Sequence, residues 1–416
     1  MLQNFDSEVR WIENLFEQVL RDPAGILRAM LKLDTLKPWM PEDSGDDDLC
    51  AVIPGYEKMP LADFLNYENT GMVQGTYLSA LTFKYRVTGD ESVRELARLT
   101  FRGIVKVYEM SQAVAPGFYC KPWGGHLTDE TSSDQYIYTM CGLDDYYQLA
   151  DQEEQKQIRD MIVPMVRFWL DHGYDWNYYG VMLHWRQVRF ISFMVLALKY
   201  GGGPEFETEL KRLTEMQKNS FQTPFGSTFA ENLHHDPGKP VWISIGPESA
   251  LSTFLSFEAA MKRENCERFM EICRESMKLG RMGLAGDGTT YPKLLQDPIT
   301  GEFREMDPAR STFSRMQFQS PIYGLNAPYR KGGMQSTMFA RFALEFEEFD
   351  PRCGGRKLAE DALQQVGTKH LTWFEDPHGI FPPEICWMTN VFSGDAAAHW
   401  LWCYWKMRLL DSQGNG

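Results

Sequence analysis

The residues best suited to chemistry lie in GFYCKPWGGHLTDETSSDQYIYTM, residues 117–140. This stretch runs from a Gly/Pro/aromatic loop into a Thr/Ser-capped helix start, bringing His126, Asp129, Glu130, Asp134 and Gln135 to one mouth beside Trp123 and Tyr136. Glu130 and Asp134 are four apart and share a face if both lie in the first turn, where two carboxyls push each other's pKa values apart. The alternative is that Asp134 only complements the helix dipole. A second constellation, HGYDWNYYGVMLHWRQVRFISFM at 172–194, carries Trp176, His184, Arg186 and Arg189. Arginines three apart can face one anion and grip it as a fork, or they can satisfy carboxylates of the fold. Other helix starts add Asn69 and Gln74; Glu248, preceded by Glu231, His234 and His235; Arg330 and Gln335; and Asp395 with His399. The last two, at i and i+4, would orient one another or serve as helix cap and core histidine.

The absent motifs narrow the chemistry. There is no GxSxG, GxGxxG, P-loop or HExxH, so the expectation is acid/base work on an organic substrate with no cofactor. No metal site is expected either, because the adjacent His234 and His235 point apart. The eight cysteines are scattered without a CxxC and read mostly as buried thiols. A net charge of −15 and a pI near 5.1 argue against nucleic acid, but a small anion needs only two or three local cations. Aromatics form 13% of the chain, and many sit in loops before helices, including Trp123 and Trp176. Singly they read as core; as a set they resemble platforms for sugar rings. The N-terminus lacks the apolar run of a signal peptide, and no stretch is long and apolar enough for a membrane, so a cytoplasmic protein without membrane partner is expected. Oligomeric state stays open.

Twelve amphipathic segments position these residues, near 8–33, 69–87, 91–112, 133–150, 154–172, 186–200, 205–219, 247–263, 265–280, 333–347, 355–369 and 394–409. Short turns such as Thr88-Gly89-Asp90 pair them as antiparallel hairpins. The even-numbered segments have fewer charges and should form an inner ring. An ordinary bundle or a solenoid is the competing architecture, but a solenoid would leave a regular sequence period that this chain lacks. No linker interrupts the pattern, so residues 1–416 read as one all-α domain.

The hairpin order, NTGMVQGTYLSALTFKYRVTGD near the front, TSSDQYIYTMCGLDDYYQLA at the fourth helix and the Trp-rich loops resemble the six-hairpin glycosidase superfamily. That resemblance implies an (α/α)6 barrel and, nearest in kind, the unsaturated glucuronyl and rhamnogalacturonyl hydrolases. It points to Asp134 as general acid on a short uronic-acid-bearing oligosaccharide. Glu130 or Glu248 would activate water, Arg186 and Arg189 would bind the substrate carboxylate, and His126 and Gln135 would hold hydroxyls. A polysaccharide lyase using Tyr136 or His184 with Arg189, a sugar epimerase with histidine bases, and a non-catalytic carbohydrate-binding protein are the other readings of such a ring.

Overall fold

The computed structural model describes residues 5–43, 60–219, 233–234, 242–245, 253–263, 266–297, 300, 302–315 and 323–414. Six helices are buried over most of their surface: α3 (Thr70–Thr88), α5 (Ser133–Tyr146), α7 (Ile191–Lys199), α9 (Thr253–Arg263), α11 (Gly333–Phe346) and α13 (Gly394–Ser412). Six partners bury one stripe each: α1 (Asp6–Leu15, continued as a π turn to Leu20), α4 (Glu91–Ser111), α6 (Gln152–Asp171), α8 (Pro204–Lys218), α10 (Glu267–Gly283) and α12 (Gly355–Val366). A helix apolar on every side belongs in the interior, and a striped one belongs on the outside. The inner six are the even-numbered segments of the sequence. Because α13 packs against both α3 and α11, the ring closes.

Local sequence sets the turns. Gly89 ends α3 at φ 64°, and Asp90 caps α4 by accepting the Ser92 N–H at 2.9 Å. Asp151 and Glu154 form a capping box on α6, and Pro204 opens α8. Between α3 and α5 the backbones nearly touch: a Cβ on Gly75 would sit 2.1 Å from the Tyr138 carbonyl oxygen, and one on Gly142 would sit 2.3 Å from that of Gly75. Only glycine permits this approach.

Two segments differ from the sequence expectation. The first helix ends at Leu20 rather than near residue 33, because Pro23 and Gly25 (φ 87°) break it and the Asp22 side chain ties the turn to the Ala24 and Ile26 N–H groups. The chain then forms a strand, Met30–Lys32, paired antiparallel with Val391–Ser393 before α13. Residues 186–190 are not α-helical. An antiparallel hairpin of Asp175–Tyr178 and Val181–His184 leads into a 3-10 turn, Gln187–Phe190, and only then into α7. A short helix, α2 (Leu61–Tyr67), precedes α3.

Toward the C-terminal halves of the inner helices the interior is charged. Asp145, Glu258, Lys262, Arg341, Glu345 and Lys406 influence one another there. Arg341 lies with its guanidinium 4.7 Å from the Trp402 ring and its Nη1 without a partner among the described residues. No helix among the described residues is long and apolar enough to cross a membrane.

Candidate active site

At the opposite end, the starts of α3, α5 and α13 converge. Asn69, the residue before α3, donates from Nδ2 to Asp395 Oδ2 at 2.8 Å, bridging positions 326 residues apart. Asp395 lies in the first turn of α13, which Ser393 caps by accepting the Ala396 N–H at 3.2 Å. From α5, Gln135 accepts the Gly71 N–H at 2.9 Å through Oε1 and donates from Nε2 to the Glu68 carbonyl at 3.3 Å. That bond fixes α5 against α3; Asp134, one residue earlier, is half-buried and acts electrostatically on Asp395.

The electrostatics of this junction are uneven. Asp395 is 1% exposed and its Oδ1 has no partner among the described residues. Burial pushes its pKa up to about 8; the Asn69 hydrogen bond opposes the shift, while the charges of Glu68 and Asp134 add to it. A carboxyl in that state is largely protonated at neutral pH. Arg189 faces Asp134 from the turn before α7; its Nη1 donates to Ser133 Oγ at 3.1 Å and its guanidinium lies 5.2 Å from the Trp185 ring. Burial lowers the Arg189 pKa and Asp134 pulls it back.

A second layer stands behind the junction. The Glu68 carboxylate, 4% exposed, accepts from Lys121 Nζ and from Tyr179 OH (2.5 Å) on Oε1, and from Trp123 Nε1 (2.9 Å) on Oε2. Trp123 and Tyr179 stack 5.9 Å apart. Glu130 is fully buried; its Oε2 accepts the Tyr179 N–H at 2.9 Å, its Oε1 lies 3.4 Å from Asn177 Nδ2, and burial pushes its pKa up to about 7. Tyr179 adopts φ 51°, a left-handed conformation costly for a large side chain, and these bonds hold it there. Trp176 donates to the Asp129 carbonyl at 2.9 Å, completing the seam between the loop and the hairpin.

Of the residues singled out in the sequence, Asn69, Asp134, Gln135, Arg189 and Asp395 come together. Glu130 does not share an open face with Asp134; it is a strap that pins the hairpin, because its oxygens are turned to Tyr179 and Asn177. Trp123 is 2% exposed and gives its N–H to Glu68, so its ring is packed rather than offered as a platform. Tyr136 is wholly buried, accepting the Tyr119 N–H at 2.8 Å and packing on Phe168 and Trp169. His399 is also wholly buried, its Nδ1 2.8 Å from the Asp395 carbonyl oxygen, and burial drives its pKa down to about 3 with the Arg341 charge adding to the effect. It is a neutral interior histidine. His184 is exposed, its Nδ1 2.9 Å from Asp175 Oδ2; Arg186 and His126 are exposed, His126 near Asp63. Glu248, Glu231 and His235 lie outside the described residues, and of His234 only the backbone strand is described. Glu68 and Lys121 were not read from the sequence as part of this site.

No family profile and no curated relative matches the chain by sequence. Solved structures do match by shape. A glycoside hydrolase family 76 mannosidase from Bacteroides thetaiotaomicron superposes with a TM-score of 0.56 at 9% identity, covering 99% of this chain and 100% of that one. The unsaturated glucuronyl hydrolase of Bacillus sp. GL1 gives 0.56 at 13% identity over 99% and 97% of the two chains. Cellobiose 2-epimerase from Bacillus thermoamylovorans gives 0.52 at 11% identity over 97% and 100%. The shared fold is the (α/α)6 barrel. At these identities the likeness establishes architecture, and function must be argued from the site.

Proposed function

We propose that the chain is a glycoside hydrolase acting on a short, uronic-acid-bearing oligosaccharide. The observation that carries this reading is the carboxyl pair at the converging helix starts: Asp395, buried and proton-holding, with the more accessible Asp134. Glycoside hydrolysis needs one carboxyl that gives a proton to the leaving oxygen and another that stabilises or activates the attacking group. The proton donor falls to Asp395, because burial pushes its pKa up to about 8. Asp134 then acts as the partner that directs water. For an unsaturated uronide the same proton would go to the carbon of the vinyl-ether double bond, with water adding next to it.

Arg189 supplies a cation beside this pair, and Arg186 lies three residues away at the surface; both would meet the substrate carboxylate. Gln135, bonded to Gly71 and Glu68, acts by fixing α5 rather than by binding hydroxyls. Similarity to a mannosidase and to glucuronyl hydrolases supports sugar hydrolysis, and the arginine supports the acidic sugar. The experiment is turnover of saturated and unsaturated uronide oligosaccharides by wild type, Asp134→Asn and Asp395→Asn. Loss of turnover by at least ~100-fold in both variants supports the pair; near-native turnover in either removes that residue from the chemistry. Arg189→Met should raise KM for uronides while sparing neutral glycosides.

A further inference from the structure

Behind the Asn69–Asp395 bond lies a buried ion pair that the proposed chemistry does not use. Glu68 and Lys121 are 4% and 1% exposed. Lys121 is fixed on every side: its N–H donates to the Glu130 carbonyl at 2.8 Å, its carbonyl accepts from Thr128 Oγ1 at 2.6 Å, and its ammonium sits 5.1 Å from the rings of both Tyr178 and Tyr179. Burial works against its charge, and Glu68, with Tyr178 and Glu130, more than restores it. A buried ion pair is a poor stability device, because well-packed apolar side chains usually do as well or better. Besides holding Tyr179 and Trp123, this pair places a charge close behind Asn69. Glu68 is bonded along the chain to Asn69, whose amide holds Asp395, and its carboxylate faces Asp395 electrostatically.

We infer that Glu68 and Lys121 are positioning residues, an ion pair that acts through Asn69 to set the orientation and proton affinity of Asp395. The inference rests on the role given to Asp395 above. Among the described residues, the groups facing Asp395 are Glu68 and Asn69 at the start of α3, Asp134 and Tyr138 on α5, and His399 on α13, with Arg341 of α11 next to His399. Asp134 and Glu68 both favour the protonated acid. Lys121 is the cation paired directly with Glu68, so it moderates that influence. Removing Glu68's charge must therefore make Asp395 a stronger acid, and removing Lys121's charge must make it a weaker one.

Opposed shifts are the signature, because a merely structural pair would perturb Asp395 without sign. The test is the titration of Asp395 followed by NMR of aspartate 13C-labelled protein, with its resonance assigned by its absence in Asp395→Asn. Glu68→Gln keeps an acceptor for Tyr179 and should lower the midpoint by about 0.5–1 pH unit; Lys121→Met should raise it by a similar amount, and Lys121→Arg should restore it. On a turned-over uronide, the alkaline limb of kcat/KM should move in the same directions. Midpoints within about 0.2 unit of wild type in every variant would overturn the inference. So would shifts of one sign in both charge-removing variants. If Lys121→Met does not fold, Glu68→Gln against wild type still decides by the direction of its shift. Opposed shifts in a protein that turns over no glycoside would uphold the ion pair and reject the hydrolase reading.

Discussion

Replacing Asp395 by asparagine should abolish activity and yet stabilise the protein at alkaline pH. Asparagine is the neutral isostere: it keeps an oxygen for Asn69 and removes the ionisation that burial resists. The unfolded carboxyl titrates near 3.8 and the folded one near 8. Below the lower value both states are protonated and the acid costs nothing. Between the two values the unfolded chain has lost its proton while the folded one keeps it, so stability falls as pH rises, and above the upper value the cost is constant. Each pH unit is worth about 1.4 kcal/mol, which sets a ceiling of roughly 6 kcal/mol over the window. Relaxation of the site and entry of water take up part of this, leaving about 3 kcal/mol as the expected gain. Denaturant unfolding of both proteins at several pH values from 4 to 9 would measure it. The expected result is a difference that grows steadily from pH 4 to pH 8 and then levels. Equal destabilisation of the variant at every pH would refute the buried-acid argument.

His399 makes the opposite prediction. Its folded pKa near 3 lies below the ordinary 6.5, so the unfolded state binds the proton first and stability should be lost as pH falls from 6.5 toward 3. His399→Gln should flatten that acid limb in unfolding measurements. Gly75→Ala would drive a methyl group into the Tyr138 carbonyl and separate α3 from α5; a loss of about 1–3 kcal/mol or more is expected by thermal or denaturant unfolding. Arg341→Met would remove one of the three cations, with Lys262 and Lys406, that act on both Glu258 and Glu345, and should cost at most about 3–5 kcal/mol at neutral pH, read as a lowered unfolding midpoint.

The ring was legible because burial leaves a plain trace in sequence: inner helices such as α11 carry few charges and are buried on all sides, and outer ones such as α4 are striped. The turn at Thr88-Gly89-Asp90 was equally plain. What misled was apolar spacing without regard to its breakers. Ile26 to Leu33 looks helical, but Pro23 and Gly25 had already ended the helix. The hairpin at 175–184 escaped notice because its turn uses Tyr179, a residue that seldom adopts positive φ, before Gly180. In the site, Asn69, Asp134 and Asp395 could each be noticed as polar groups at helix starts. The Asn69–Asp395 bond could not, since no local pattern links residues 326 apart. Glu68 and Lys121 left no signal at all: a carboxylate before a helix and a lysine in an aromatic loop read as surface residues until the fold buries them against each other.

The central claim, that Asp134 and Asp395 work as a pair on an acidic glycoside, is tested most directly by turnover of unsaturated uronide oligosaccharides. Ultraviolet absorbance of the conjugated double bond would be followed together with product mass. The account predicts falling absorbance and a mass gain of one water with wild type, both lost in Asp134→Asn and in Asp395→Asn. Rising absorbance would mean elimination rather than hydrolysis, and turnover that survives both substitutions would contradict the pairing of these two carboxyls.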